Sequence, residues 1–365
     1  GGGGGEGFSV TRSGDGRVAM IGFPSVGKST LLSEVTETKS LCAAYEFTTL
    51  TCIPGNLMYN GTKIQLLDLP GIIEGAAHGK GRGKEVISVA KTADLILMVL
   101  DGGKEQVNRH REILENELET VGLRLNKSPP NVKLVPKKLG GVKINKTCEL
   151  TKLGDDPNKV VTQVLGEYKM HNCDVLFRDD VTVDELVDVV QGNRKYVRCL
   201  YVYNKVDMIS IEEVDKLARE PHSVVVSVHH KLNLDYMLAK MWEYMGLIRV
   251  YTKRRGIAPD LEEPVVLSDQ RDGITVASAT QAVSKELLAV FHFAYVWGRS
   301  TKHSPQRVGL AHVLQDEDVI QIVTKTVAQQ KATKDYAAKV QAYNDMVAEK
   351  RKARTKAGRK KRSTG

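Results

Sequence analysis

Short runs of apolar residues recur along the first 230 residues, and each run ends in glycine or polar side chains. The runs occupy residues 18–21, 64–67, 95–101, 199–203 and 224–228. Continuous runs of this length are typical of strands buried on both faces, as in a parallel sheet covered by helices. Residues 104–121 instead carry apolar side chains at helical spacing. The pattern predicts an α/β domain whose strands end at a common edge.

The regular pattern is interrupted between the third and fourth runs. From about Asn126, prolines and lysines lead into short strands, and the spacing of apolar residues then predicts a helix over 158–168, a strand over 175–178 and a helix over 183–190. We therefore expect an inserted α+β domain at residues 126–195, which divides the main domain into residues 18–125 and 196–248. The lysine-rich start of the insert is read equally well as an RNA contact or a solvated loop.

A further unit is predicted at residues 249–326. It has strands near 265–267, 295–297, 307–310 and 318–323, and a helix around 283–294. This order over about 70 residues fits a β-grasp fold. We expect Trp297 to lie in its core, and we take Lys302, His303 and Arg307 as a candidate contact patch.

Charge is distributed unevenly along the 365 residues, whose formal net charge is +9. Residues 350–365 hold nine Lys or Arg and no acid, so the remaining residues are formally neutral. Such a segment suits a nucleic-acid backbone, although a solubilising or nuclear-import tail is the alternative. Just before it, Tyr336, Val340, Tyr343 and Val347 recur at helical spacing. We expect residues 327–365 to form a basic tail that is helical or disordered.

Composition favours a cytoplasmic protein. The five cysteines form no C-x-x-C pair, which indicates reduced thiols, and no apolar stretch approaches the length of a membrane span. Residues 1–17 are expected to be a glycine-rich linker without the apolar core of a signal peptide. Because the chain opens with Gly1 rather than Met, we interpret it as a processed or truncated form.

A phosphate-binding loop follows the first apolar run. The motif G-x-x-x-x-G-K-[ST] is matched by Gly22, Phe23, Pro24, Ser25, Val26, Gly27, Lys28, Ser29 and Thr30. Backbone N–H groups of such a loop surround phosphates, its lysine reaches the β and γ oxygens, and its serine hydroxyl binds Mg²⁺. The sequence therefore predicts binding of a nucleoside triphosphate with Lys28 in a catalytic position.

Further polar motifs follow the other strands. Asp68 ends one strand and can hold Mg²⁺, and Gly71 can meet a γ-phosphate through its N–H. Asn204, Lys205 and Asp207 end another strand, and a carboxylate there accepts from guanine N1–H and the 2-amino group, which adenine lacks. Asn204 is expected on the purine N7 side and the Lys205 stem over the ring. The base-backing loop is expected at Ser227, Val228 and His229.

These motifs resemble those of the Obg-type GTPases and, within them, of the developmentally regulated GTP-binding proteins. The resemblance covers roughly residues 6–325, and its Obg-type part includes Phe47-Thr48-Thr49-Leu50 and Asp68-Leu69-Pro70-Gly71. The closer assignment rests on His171-Asn172, Gly192-Asn193-Arg194, His229-His230 and the stretch from Val296-Trp297-Gly298 through residues 316–323. It implies a P-loop GTPase domain with a small α+β insertion and a C-terminal TGS β-grasp domain. It also implies that Thr49 joins Ser29 and Asp68 on Mg²⁺, and that a helical N-terminal segment usual in the family is absent here.

One catalytic group is missing from the motifs. Ile72 stands where Ras-like proteins place the glutamine that orients the attacking water, so hydrolysis is expected to be slow. His78 is a candidate to orient water, and Lys80 or Arg82 to neutralise charge; the alternative is a solvated switch loop. Some related GTPases use an asparagine of the phosphate loop to bind an activating K⁺, and Ser25 at that position leaves a role for K⁺ open.

The sequence thus predicts a slow, Mg²⁺-dependent switch between GTP and GDP that works with the ribosome or RNA in translation. The resemblance also implies a small regulatory protein that stabilises the family member and raises its turnover. A GTP-regulated scaffold on cytoskeletal or signalling assemblies is the alternative, and an Obg-like ATPase is disfavoured by Asn204, Lys205 and Asp207.

Overall fold

The computed structural model describes residues 15–36, 53–69, 88–271, 273–326 and 329. The predictions for Thr49, Gly71, Ile72 and His78 lie outside these residues, as do those for Lys80 and Arg82, for most of the linker and for the tail apart from residue 329. The chain divides into two compact units, the first ending at Gly246 and the second beginning at Leu247.

A seven-stranded sheet forms the centre of the first unit, in the spatial order β10-β9-β4-β1-β3-β2, with β5 beside β9. Its strands are β1 (Gly16–Ile21), β2 (Ile53–Tyr59), β3 (Thr62–Asp68), β4 (Leu95–Asp101), β5 (Leu123–Leu125), β9 (Lys195–Asn204) and β10 (Ser223–Val225). All of its pairings are parallel except β2 with β3. Every residue of β1 and β4 is buried, as expected for strands covered on both faces.

Helices and a short 3₁₀ turn connect these strands. They are α1 (Lys28–Val35), α2 (Val107–Thr120), the 3₁₀ turn Val206–Met208, α5 (Ile211–Ala218) and α6 (Leu234–Met245). The 224–228 run is a strand only as far as Val225. Strand β1 begins at Gly16, inside the expected linker, because Arg17 is fixed in the sheet by its bonds to Asp94 and Gln65.

The inserted domain has a three-stranded sheet in the order β6-β8-β7. Its elements are β6 (Val132–Pro136), β7 (Val142–Lys146), α3 (Pro157–Glu167), β8 (Cys173–Phe177) and α4 (Val183–Gln191). Helix α4 starts with a capping box, in which Thr182 and Glu185 bond reciprocally, and ends at Gly192 with φ 62°. A core of its own, including Val161, Phe177 and Leu186, is fully buried.

An ion-pair cluster ties the insert to the main sheet. Asp188 of α4 accepts from Arg124 of β5 at 2.7 and 2.9 Å and from Arg194 at 2.8 Å. Burial alone raises the pKa of Asp188, but the two guanidinium groups outweigh it and lower the pKa below its ordinary value. The carboxylate is therefore ionised at neutral pH, and it fixes the point where the chain leaves and re-enters the main domain.

The second unit is built on a five-stranded sheet in the order β12-β11-β15-β13-β14. Its strands are β11 (Leu247–Thr252), β12 (Val265–Ser268), β13 (Phe291–Trp297), β14 (Gln306–Val308) and β15 (Asp318–Thr324). Strands β11 and β15 are parallel, and the other pairs are antiparallel. Leu247 and Ile248, expected at the end of the main domain, lie in this sheet.

The helix expected at 283–294 has the wrong bounds. The structure has α7 (Val276–Val283) and α8 (Lys285–Ala289), and the chain enters β13 at Phe291. Thr275 caps α7 by accepting from the Ser278 N–H, and Ser284, with φ −165°, separates the two helices. From Phe293 onward half-buried and buried side chains alternate along the chain, which is a strand pattern.

Among the described residues, no helix is both long and apolar enough to span a bilayer.

Candidate nucleotide-binding site

The functional motifs of the first unit meet at one edge of its sheet. Met20 pairs with Asp68, Ile21 with Met98, and Asp101 with Asn204, so the carboxyl ends of β1, β3, β4 and β9 lie side by side. This edge of a parallel sheet is where α/β proteins bind ligands. The loop between β1 and α1 runs along it.

The phosphate-binding loop follows a path that requires glycine at two positions. A Cβ atom on Gly22 would collide with the carbonyl oxygen of Val99, and one on Gly27 would collide with the Asn204 amide. Gly27 also has φ 99°, in the left-handed region that favours glycine. The close approach leaves the backbone N–H groups and the first turn of α1 available to an anion.

Lys28 lies at the start of α1 and reaches back over this loop. Its Nζ donates to the carbonyl oxygens of Gly22 at 2.8 Å and Phe23 at 3.4 Å. Burial lowers the pKa of Lys28, and the charge of Asp68 partly opposes the shift. A partly desolvated ammonium at the mouth of the loop is suited to binding phosphate oxygens in place of these carbonyls.

Ser29 and Asp68 form a candidate magnesium site. The Ser29 hydroxyl donates to Asp68 Oδ2 at 2.8 Å, and the other carboxylate oxygen, Oδ1, is buried with no hydrogen-bond partner among the described residues. An unpartnered buried carboxylate oxygen beside a hydroxyl, at the edge of an anion-binding loop, fits the oxygen ligands that Mg²⁺ takes together with phosphates. The residues present therefore fit this ion.

Asn204 connects the phosphate loop to the segment after β10. Its Nδ2 donates to the Val26 carbonyl at 2.9 Å, and its Oδ1 accepts from the Val228 N–H at 3.0 Å. Because the amide has two N–H bonds, the contact with Val26 leaves a second donor for a purine N7. Asn204, at 3 % exposure, therefore holds two walls of the site together.

Lys205 bridges the base side of the site to the phosphate loop. It has φ 64°, and its Nζ donates to the Ser25 carbonyl and to Asp101 Oδ2, both at 2.8 Å. Asp101 is held in turn by the Gly103 N–H at 3.1 Å. The Asp101 carboxylate was not among the sequence-predicted site residues, although its place at the end of an apolar strand was the available signal.

Asp207 and its neighbours line the position expected for the base. Ser227 Oγ donates to Asp207 Oδ1 at 2.6 Å, and His230 Nε2 lies 3.7 Å from Oδ2. The Ser227 bond lowers the pKa of Asp207, with smaller contributions from His230 and His229. The group is therefore a carboxylate with acceptor capacity left over, as recognition of two adjacent N–H donors requires.

The remaining predicted residues of the site are placed less centrally. Pro24 and Thr30 are exposed, in the loop and in α1, while Val26 is buried. The ring of Phe23 packs against His110 of α2, with centroids 4.5 Å apart. His229 contacts the ring of His230 at 4.8 Å.

Three stretches of this chain match described protein families. Residues 17–135 match the family described as 50S ribosome-binding GTPase, residues 139–247 match the C-terminal region of the MMR_HSR1 domain, and residues 248–324 match the TGS domain.

The curated relatives are similar over most of their length. Developmentally-regulated G-protein 2 of Arabidopsis thaliana is 58% identical, over 90% of this chain and 81% of the relative. Developmentally-regulated GTP-binding protein 2 of Homo sapiens is 57% identical, over 88% of this chain and 86% of the relative. Among solved structures, the YchF GTPase of Schizosaccharomyces pombe aligns at 14% identity and a TM-score of 0.49, over 86% of this chain and 99% of that one.

Proposed function

This chain belongs to the family of developmentally regulated GTP-binding proteins, and we propose that it is a slow switch whose nucleotide state controls its association with the ribosome. The resemblance read from the sequence is confirmed, as are the fold class and the assignment as a GTPase. The observation that carries the nucleotide-switch part of the proposal is the meeting of the phosphate loop, Asp68 and the Asn204-to-Asp207 segment at one sheet edge.

Selectivity for guanine is assigned to Asp207. Its ionised carboxylate, fixed by Ser227, accepts from guanine N1–H and the 2-amino group. Adenine offers no donor at these positions and would desolvate the carboxylate without replacing the lost water hydrogen bonds, which costs more than a hydrogen bond itself is worth. The Lys205 stem, drawn towards Ser25, would cover one face of the ring. This arrangement favours a GTPase over an Obg-like ATPase.

Ser29 and Asp68 are proposed to hold Mg²⁺, with Thr49 joining them when the γ-phosphate is present. When bound, the ion would offset negative charge on the β and γ oxygens. Lys28 would contribute a second positive charge, and Gly71 an N–H to the γ-phosphate. Thr49 would then bind the ion in the GTP-bound state and be released in the GDP-bound state, as in other GTPase switches.

Turnover is proposed to be slow because Ile72 offers no hydrogen bond to the attacking water. His78 remains the candidate to orient that water, and a small regulatory protein of the kind the family implies would raise the rate. Faster GTP hydrolysis in KCl than in NaCl at equal ionic strength would identify K⁺ as a cofactor. Equal rates of hydrolysis in the two salts would exclude K⁺ as a cofactor.

Ribosome association rests on the family description of residues 17–135 and on the basic segment 350–365. We place the protein in the cytoplasm, where translating ribosomes are its partner. The alternative is a GTP-regulated scaffold on cytoskeletal or signalling assemblies, for which hydrolysis is secondary.

Cosedimentation with purified ribosomes tests this proposal. The full chain and a chain ending at residue 349 are loaded with a non-hydrolysable GTP analogue or with GDP and are sedimented with ribosomes at two salt concentrations. Sedimentation with microtubules under the same conditions is the comparison. We expect the GTP form to sediment with ribosomes, and loss of the tail to reduce the salt dependence. Absence of ribosome binding in every state, with binding to microtubules, would favour the scaffold.

A further inference from the structure

A row of aromatic side chains lies on one face of the five-stranded sheet of the second unit. Along β13, Ala294 and Val296 are fully buried in the core against the α7 side. Phe293, Tyr295 and Trp297 alternate with them and are half-buried on the opposite face. Their ring centroids are 5.2 and 6.3 Å apart. Trp297, expected in the core, is therefore not a core residue.

Two cations flank this aromatic row. The Arg307 guanidinium lies 4.0 Å from the centroid of Phe293, and Lys253 Nζ lies 5.3 Å from that of Trp297. No carboxylate of the described residues forms an ion pair with either cation, whereas Arg249 on the same sheet is paired with Asp316. The face thus presents aromatic rings between two cations whose charge is not neutralised by the described part of the chain.

Sheet stability explains only part of the row. An aromatic ring stabilises a sheet when it faces an aromatic or β-branched side chain on the neighbouring strand. Phe293 and Trp297 face Val323 and Val319 on β15, whereas Tyr295 faces Gln321. The Gln321 amide therefore lies beside Tyr295, in the middle of the row, where it can reach the edge of a stacked ring.

We propose that this face binds two or three nucleotides of single-stranded RNA, with bases stacking on Tyr295 and Trp297 and phosphates meeting Arg307 and Lys253. Aromatic side chains on a sheet face are a common platform for unpaired bases, and nearby cations supply the backbone contacts. The inference names a contact that the proposed ribosome association would use. The charge of the face favours a polyanion over the chain's own basic tail.

The experiment uses the fluorescence of Trp297 in the full chain. The protein has two tryptophans, so a Trp242→Phe background leaves Trp297 as the reporter. The probe is an eight-residue oligouridylate, with the same RNA in a duplex for comparison. We expect the single strand to quench Trp297 and the duplex to leave it unchanged, because paired bases are not available for stacking.

Binding of fluorescein-labelled oligouridylate, measured by anisotropy, tests the individual side chains. Tyr295→Leu and Trp297→Leu should each weaken binding roughly 5- to 150-fold, and Trp297→Phe should restore most of it. Arg307→Gln should reduce the salt slope by about 0.7. Tyr236→Leu is the matched control, because Tyr236 is another exposed ring beside a cation, Lys240, at 5.9 Å.

Two outcomes would overturn the inference. RNA binding without quenching of Trp297, and unaffected by Tyr295→Leu, would place the RNA elsewhere, for example on the tail. Absence of quenching by the single strand, both in the full chain and in a chain ending at residue 326, would mean that the face does not bind single-stranded RNA. Either result would leave nucleotide-dependent cosedimentation with ribosomes intact, so it is distinguishable from failure of the proposed function.

Discussion

The bond between Lys205 and Asp101 gives the sharpest test of the site's architecture. The two residues are 104 positions apart, and their side chains are 34% and 8% exposed. Lys205→Met keeps the length of the stem but removes the Nζ that bonds to Asp101 and to the Ser25 carbonyl. The buried carboxylate is then left with the N–H of Gly103 as its described partner.

The expected loss follows from this burial. Removing one partner of a buried ion pair costs about 3–5 kcal/mol. Since Lys205 is one-third exposed, water screens part of that cost, and we expect about 2 kcal/mol in the free energy of unfolding. In the double variant with Asp101→Asn neither member of the pair carries a charge. Its loss should therefore be smaller than the sum of the two single losses by about 1 kcal/mol.

Urea denaturation without nucleotide measures these energies. Trp242, which contacts Tyr59 with ring centroids 5.9 Å apart, reports on the first unit in a Trp297→Phe background. Arg219→Met, which breaks an exposed pair with Asp215 at 78% and 59% exposure, is the control and should leave the free energy of unfolding nearly unchanged. A coupling energy of zero between Lys205 and Asp101 would refute the reasoning.

Three further variants test other parts of the account. Gly27→Ala places a Cβ against the Asn204 amide, and the backbone φ of 99° at this position adds a strain of about 1–2 kcal/mol. Calorimetry should therefore show binding of GTP and GDP weakened at least tenfold. Unchanged affinity would contradict this path of the loop. Asp207→Asn should weaken GTP binding by about two orders of magnitude. The same change should strengthen binding of xanthosine triphosphate, because its 2-oxo group can accept from the new amide. A loss of affinity for both nucleotides would contradict the assignment of guanine recognition to Asp207. Asp188→Asn should cost about 2 kcal/mol in urea at pH 7. Because folding lowers the Asp188 pKa, its stabilisation is present above the unfolded value of about 4 and is lost as pH falls through the folded value, so the difference between variant and parent should shrink as pH falls below about 4, and a constant difference would be inconsistent with this ion pair.

Much of the site was predictable because its motifs each end a buried strand. Strand order along the chain and the parallel pairing rule bring those ends to one edge, so the meeting of Lys28, Asp68 and Asn204 follows from sequence. Asp101 was missed because a single aspartate after an apolar run has no motif. Its role depends on Lys205, which reaches it only after the fold has formed.

The second unit was harder to predict for a different reason. Residues 291–297 are apolar or aromatic on both faces of β13, so the pattern could not distinguish the face that packs on the core from the one that does not. The helical run was also shifted, because the sequence does not reveal that Thr275 starts the first helix and Ser284 ends it. Tertiary pairing with β14 and β15 decides both points.

The most direct test of the central claim is ribosome cosedimentation of Asp207→Asn loaded with orthogonal nucleotides. If nucleotide state at this site controls the association, a xanthosine triphosphate analogue should restore sedimentation of the variant, and the GTP analogue at the same concentration should not. The unmodified chain should show the reverse preference. Equal sedimentation of the variant with either nucleotide, or with none, would contradict the account.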